Sequence, residues 1–468
     1  MDSSVFGQDL PPGPWPEVSR TVTGELIFAL PGSPDPHYLH SRLDPIAEAR
    51  GVAENAALEQ AGVVMVFGVG AGHLLRATAA ATPAATAIYC VVLDPGCLLC
   101  AHRQGALDDL LGDSRIIFLA GDLAAIVRRL PRAAEEDLRV VVHPPLLAAT
   151  APTLAPLAAM ARELEMVQRS RLRQRVQVLA NIEQNLPLIL RSEPAAALAS
   201  ALANRRLLLI GPGPSLEGQL GQLARAASRG VPITALDTAL RPLLEAGIPV
   251  DLLFTLHPLE ENLAKVEGLA IDCPVVYFEA AHPQIAAAGP RPLFACEAGG
   301  LLDRAHPLFG AHGRYSSEGT VLIAALEVLA AIPAARIGLC GIDLALAGEA
   351  RYAGGRAAAP GARVEVPARD GGTTLTTPSL ALHRTRLERW LARTPRRVVD
   401  LTAAGAAVAG LPRRTLDAWL ADRAPEPAVD LRSGISARIL GDDPRAEQAL
   451  IAARSALEVA TRPASESR

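Results

Sequence analysis

The stretch that most constrains the fold runs from Arg205 to Pro258. A short apolar run, Leu207 to Ile210, breaks into Gly211-Pro212-Gly213-Pro214-Ser215, after which apolar residues recur at Leu216, Leu220, Leu223 and Ala227. That order reads as strand, glycine turn and helix. Gly230 stops the helix, Val231 to Leu236 gives a second strand ending in Asp237, and Thr238 to Ala246 gives a second helix closed by Gly247. A third apolar run, Leu252 to Leu256, ends at His257-Pro258. Strands alternating with helices at this density predict a parallel sheet with helical crossovers. Such sheets bind ligands beyond the carboxyl ends of their strands.

A glycine turn lets backbone approach a phosphate without a Cβ in the way, and the helix behind it offers unpaired N–H groups and the positive end of its dipole. Gly211, Gly213, Pro214 and Ser215 are therefore candidates for binding a nucleotide, with Ser215 at the N-cap position. Asp237 follows at close to the ~20-residue offset at which an acidic residue reaches a ribose hydroxyl. The turn reads G-P-G-P-S-L and not G-x-G-x-x-G, so a tight turn with no ligand fits the same residues. Gly319-Thr320, opening an apolar helix from Val321 to Ala331, is a second place where a helix start can meet an anionic sugar or phosphate, or serve only as an N-cap.

The run G-P-G-P-S-L, then A-L-D-T-A-L-R-P-L-L-E-A-G-I-P-V-D, and later Gly319-Thr320-Val321 with Gly341-Ile342-Asp343-Leu344-Ala345, resembles the motility accessory factor family. Those proteins share a domain named after 6-hydroxymethylpterin pyrophosphokinase-like enzymes (MptE-like). Leu39-His40-Ser41-Arg42-Leu43-Asp44-Pro45 and the glycines near Gly68 are similar to its amino-terminal part, so the resemblance covers most of the chain. It implies a glycosyltransferase that moves a nonulosonic, sialic-acid-like sugar from a CMP conjugate to Ser or Thr of flagellin, with no cofactor beyond the CMP-sugar donor. Where that family's pattern has an acidic residue after the third strand, this chain has His257.

A second strand-turn-helix unit precedes the first. Val63 to Phe67 runs into Gly68-Val69-Gly70-Ala71-Gly72, and Ile88 to Leu93 ends in Asp94, the pattern of another mononucleotide-binding half or of a turn kept for packing. The pair Cys97 and Cys100 lacks the second half of a zinc site. Residues 146–204 read as a helical connector in which Glu163, Glu165, Arg169, Arg171, Arg173 and Arg175 form a solvated face. The expectation is an α/β protein: two Rossmann-like parallel-sheet domains, residues 1–145 and 205–425, joined by the connector 146–204 and followed by a mainly helical carboxyl-terminal region, 426–468, with a disordered tail. The Pro/Gly/Arg-rich stretch from Tyr352 to Pro367 is long enough for a lid or acceptor-binding flap.

Acidic residues outnumber basic ones, 49 against 45, and Lys265 is the only lysine. That balance argues against nucleic acid as a partner. No apolar run reaches the length of a membrane span, and the amino terminus lacks a basic segment before an apolar core, so a cytoplasmic protein with no membrane partner is expected. Six cysteines in so long a chain agree with a reducing compartment. For catalysis, His257 is the imidazole at a strand end, with Asp343 and Glu279 as alternative bases. A rival chemistry is ATP-dependent diphosphoryl transfer to a pterin alcohol, which needs Mg²⁺ on carboxylates such as Asp237 and Asp343; no P-loop lysine is present. A third reading is a non-catalytic module that binds nucleotide.

Overall fold

The computed structural model describes residues 15–30, 36–121, 126, 129, 138–150, 152–348, 350–353, 363–394, 397–422, 424–432 and 439–461. The chain forms two compact units, Met1–Arg173 and Gln174–Arg462.

In the first unit, β1 (Glu17–Arg20), β2 (Leu26–Leu30) and β3 (His37–Tyr38) make a small antiparallel sheet. The strands β4 (Val63–Phe67), β5 (Ala87–Val91), β6 (Ile116–Leu119) and β7 (Leu138–Val142) form a parallel sheet in the order β6-β5-β4-β7. Strand residues alternate between two apolar layers: Val64 and Val66 face one with Leu74 and Leu75, Met65 and Phe67 the other with Leu157 and Ala161. Two helices start on the same device, an aspartate N-cap before proline: Asp44 accepts from the Ala47 amide ahead of Pro45, and Asp94 from the Cys97 amide ahead of Pro95.

The second unit is built on a nine-stranded sheet. Its strands are β8 (Glu193–Pro194), β9 (Arg206–Ile210), β10 (Ile233–Leu236), β11 (Leu252–Thr255), β12 (Val275–Phe278), β13 (Pro292–Glu297), β14 (Arg314–Tyr315), β15 (Arg336–Cys340) and, after the hairpin of β16 (Val364–Pro367) and β17 (Thr373–Thr376), β18 (Val398–Asp400). The order is β14-β13-β12-β11-β10-β9-β15-β18, with β8 beside β13, and every pairing in it is parallel. Strands β9 to β12 are buried throughout because helices cover both faces. Leu207 and Leu209 join a core with Ile323 and Leu326; Leu208 and Ile210 join another with Leu223 and Leu240.

The α/β architecture is the one anticipated, and its limits differ from the four segments read in the sequence. Residues 146–204, expected as a helical connector, are shared between the two units. Most of that stretch is a single helix, Ala155–Arg191, whose first turns (Leu157, Ala158, Ala161) complete the core of the first unit. Its last turns (Ile182, Leu186, Ile189) complete a core of the second. No residue from 162 to 180 is buried. The helix Ala446–Thr461 packs Ala449, Ala453 and Leu457 into that same core of the second unit. Residues 462–468 and most of the expected lid, 354–362, lie outside the described residues.

Candidate functional site

Chain order sets up a row of groups along the carboxyl edge of the large sheet. The chain winds outward from β9 to β14 and then returns to β15 on the other side of β9. That reversal is the topological switch point at which open α/β sheets leave a crevice. Strands lie about 4.8 Å apart, so residues following consecutive strands come side by side: Glu279 after β12, His257 after β11, Asp237 after β10, the glycine turn after β9, and Asp343 after β15.

At the switch point the crevice carries its own anion. Asp343 accepts the main-chain amide of Ser215 on Oδ2 at 2.7 Å and the Ser215 hydroxyl on Oδ1 at 2.6 Å. The carboxylate lies where a Cβ on Gly213 would be, 2.3 Å from its Oδ1, and the Gly341 carbonyl stands 2.6 Å from the same point. The Gly211 amide donates to the Cys340 carbonyl at 2.8 Å and the Gly213 amide to the Gly341 carbonyl at 2.7 Å. In the expected phosphate cradle of Gly211, Gly213 and Ser215 the amides donate to β15 and the loop after it, while Pro214 opens a 3₁₀ turn, Pro214–Gln219, with no N–H to give. These glycines are required by packing against residues 341–343. Burial pushes the Asp343 carboxyl above its ordinary range, with the two Ser215 bonds pulling it back.

The neighbouring half, at β10 and β11, is different. Asp237 is fully buried and fixed: Oδ1 accepts the Thr238 amide at 2.7 Å and the Thr238 hydroxyl at 3.0 Å, and Oδ2 accepts the Thr255 hydroxyl at 3.1 Å. Its charge acts on His257 next door. Burial lowers the His257 pKa, Asp237 pulls it back up, and Lys265 adds to the lowering. The His257 carbonyl accepts the His282 amide at 3.1 Å, which anchors the backbone, while the imidazole has no hydrogen-bond partner among the described residues and is only partly buried.

A further group of cationic and imidazole side chains that the sequence did not advertise lies within electrostatic reach of His257. His383 and Arg386 sit one turn apart on the helix Pro378–Arg393, started by the Thr377 N-cap. The His383 imidazole is pushed down to about 3 by burial first and then by Arg386, Arg351 and His257. Arg386 donates to the Glu318 carbonyl, and a Cβ on Gly319 would come within 3.1 Å of its Nη1. Gly319, at φ +71°, therefore lets backbone lie against a guanidinium. Thr320 is a plain N-cap, accepting the Ile323 amide at 3.1 Å. The segment carrying Arg351 is tied to the glycine turn, the Ala353 amide donating to the Pro212 carbonyl at 2.8 Å. Glu279 Oε1 takes the Leu302 amide at 3.5 Å at the start of the short helix Leu301–Ala305, beside Gly300. The structure thus gathers Asp237, His257 and the Gly319 turn with His383, Arg351 and Arg386, and gives Glu279 a neighbour other than the cleft.

In the first unit the glycine turn is filled too. His40 Nε2 accepts the Ala71 amide at 3.0 Å, and a Cβ on Gly70 would meet the ring at 2.4 Å. Burial, with His143 and His73 nearby, drives the His40 pKa down to about 3. One ligand atom each of His40, Glu48 and His143 lies within 4.8 Å of the others, close enough to hold a cation. The Ala71 bond, however, puts the ring proton of His40 on Nδ1, so a metal must first displace that amide. Cys97 and Cys100 lie on the helix Pro95–Arg103, and burial raises both thiols above the ordinary range. Buried thiols with raised pKa are inert.

Residues 180–349 match the family model described as 6-hydroxymethylpterin diphosphokinase MptE-like. That span includes the whole strand-end row from Glu279 to Asp343 and stops short of Arg351, His383 and Arg386. Among solved structures the chain is similar to a MAf glycosyltransferase from Magnetospirillum magneticum AMB-1, at 14% identity and a TM-score of 0.44, over 95% of this chain and 74% of that one. No curated protein matches.

Proposed function

We propose that this chain is a glycosyltransferase that moves a nonulosonic acid from its CMP conjugate to a Ser or Thr hydroxyl of flagellin. The observation that carries the reading is the juxtaposition of Asp237 and His257 at adjacent strand ends. The imidazole is partly buried and makes no hydrogen bond with a described residue, and the carboxylate is oriented by three donors. In this reading His257 takes the proton of the acceptor hydroxyl as its oxygen attacks the anomeric carbon. The bond from that carbon to the phosphate oxygen breaks, and CMP leaves as the phosphate monoester. Asp237 steadies the imidazolium formed, the role a fixed carboxylate plays beside a catalytic histidine. The reading draws further support from the sequence resemblance through G-P-G-P-S-L. It needs no metal, and it places the protein in the cytoplasm with its donor; among the described residues no helix is long and apolar enough to cross a membrane.

The test is incubation with CMP-pseudaminic or CMP-legionaminic acid and unmodified flagellin, read by intact-protein mass. Addition of one or more sugar masses, abolished in His257→Ala, is expected; transfer that survives His257→Ala removes the imidazole from the chemistry.

A second reading, ATP-dependent diphosphoryl transfer to a pterin alcohol, is favoured by the description of the family matched over residues 180–349. Its Mg²⁺ needs free carboxylate oxygens. Asp343 and Asp237 both give their oxygens to protein donors. Calorimetry with CMP and with ATP, each with and without Mg²⁺, separates the two: ATP binding that requires Mg²⁺ selects the second, and binding of CMP without turnover leaves a nucleotide-binding module.

A further inference from the structure

We propose that the anionic pole of the ligand, a phosphoryl or similar oxyanion, is held by Arg351, His383 and Arg386 opposite His257, and not by the glycine turn. The proposal rests on the reading of the cleft as a donor-sugar site and assigns residues that lie outside the span matched by the family model.

Three observations carry it. The donors of the turn are already taken, Ser215 by Asp343 and both glycine amides by carbonyls, so an anion arriving there meets a carboxylate. Near His257 the balance is reversed. His383 and Arg386 are presented on the same side of one helix, and Arg386 reaches the backbone at Glu318 and Gly319. Arg351 stacks its guanidinium over Tyr352, 5.1 Å from the ring centroid, and its buried Nε has no acceptor among the described residues. A buried N–H without an acceptor calls for an explanation, and a bound anion is one that fits a guanidinium. Neither the His257 nor the His383 imidazole makes a hydrogen bond with a described residue, although each is partly buried. A guanidinium fork matches the planar or tetrahedral oxygens of carboxylate and phosphate, and a neighbouring neutral imidazole supplies one further donor.

The probes are CMP, cytidine and inorganic pyrophosphate, titrated by calorimetry into the wild-type chain and into Arg351→Ala, Arg351→Lys, His383→Gln and Ser215→Ala. Expected are CMP bound at least about tenfold tighter than cytidine, loss of that advantage in Arg351→Ala and His383→Gln, partial recovery in Arg351→Lys, and unchanged cytidine binding throughout. His383→Gln keeps a polar side chain of similar length but not the ring that sets the direction of its N–H, so the fold is kept and the test survives if Arg351→Ala does not fold. CMP binding untouched by Arg351→Ala and His383→Gln, or lost only in Ser215→Ala, overturns the assignment while leaving the CMP-sugar reading intact. Pyrophosphate binding that weakens in those two variants, with no CMP binding, upholds the anion site and removes CMP as the donor. If neither CMP nor pyrophosphate binds, both ideas fall.

Discussion

Ser215 hands both of its donors to Asp343: amide to one carboxylate oxygen at 2.7 Å, hydroxyl to the other at 2.6 Å, across 128 positions of sequence. An aspartate from the far side of the switch point therefore stands where the first reading of the glycine turn put a phosphate.

Removing that acceptor leaves two donors beside a largely buried void. Asp343→Ala should lose about 1–3 kcal/mol, the cost of leaving buried polar groups unmade, while Asp343→Asn keeps an acceptor for one of them and loses less. Thermal unfolding midpoints check the ranking. Equal midpoints for Asp343→Ala and the wild type would show the pair to be incidental.

Gly213 has an ordinary negative φ of −59°, so alanine there meets no backbone strain. It meets atoms. Its Cβ would fall 2.3 Å from Asp343 Oδ1 and 2.6 Å from the Gly341 carbonyl, and overpacking of this kind costs about 1–3 kcal/mol. Because the carbonyl is main chain, the double variant Gly213→Ala with Asp343→Ala should not recover. Gly218→Ala, with nothing within 4 Å of the added carbon, is the neutral comparison.

Asp237 raises the His257 pKa against the effect of burial, so Asp237→Asn should lower it. The sign is fixed by the charge: a carboxylate favours imidazolium, and an amide does not. Histidine Cε1–H titration by NMR would register a downward shift in the variant. In any transfer assay the acidic limb of kcat/KM should move the same way.

His40 titrates near 3 in the folded chain against an ordinary value of 6.5. Between those pH values the unfolded chain takes up a proton that the folded chain refuses. His40 therefore contributes fully above about 6.5, and stability drains away as pH falls toward 3. His40→Gln can still accept the Ala71 amide and has no proton to gain, so its unfolding midpoint should depend less steeply on pH over that window. An identical slope in both proteins excludes His40 as the titrating group.

Strands were legible because each is a dense apolar run closed by a residue with one clear meaning. β4 falls on the run Val63–Phe67, and β9, β10 and β11 lie within a residue or two of the runs Leu207–Ile210, Val231–Leu236 and Leu252–Leu256. The hairpin of β16 and β17 was hidden since six of its eight residues are not buried, which erases the alternation; Asp370-Gly371 in its turn was the signal available. Strands β3 and β14 have two residues each, too few for any period. In the cleft, the strand-end groups announced themselves through β-run boundaries. The bond between Ser215 and Asp343 did not, being a contact between distant segments. His383 and Arg386 sit among arginines on a helix whose buried Trp390 dominated the pattern, so nothing local distinguished a cleft wall from a solvated face.

The helix Ala155–Arg191 also decides where this chain can be divided. Severed between Arg173 and Gln174, it would leave each fragment holding the turns that seal its own interior. A cut after residue 145 would instead strip Leu157, Ala158 and Ala161 from the layer that shields Met65 and Phe67 and open that layer to water.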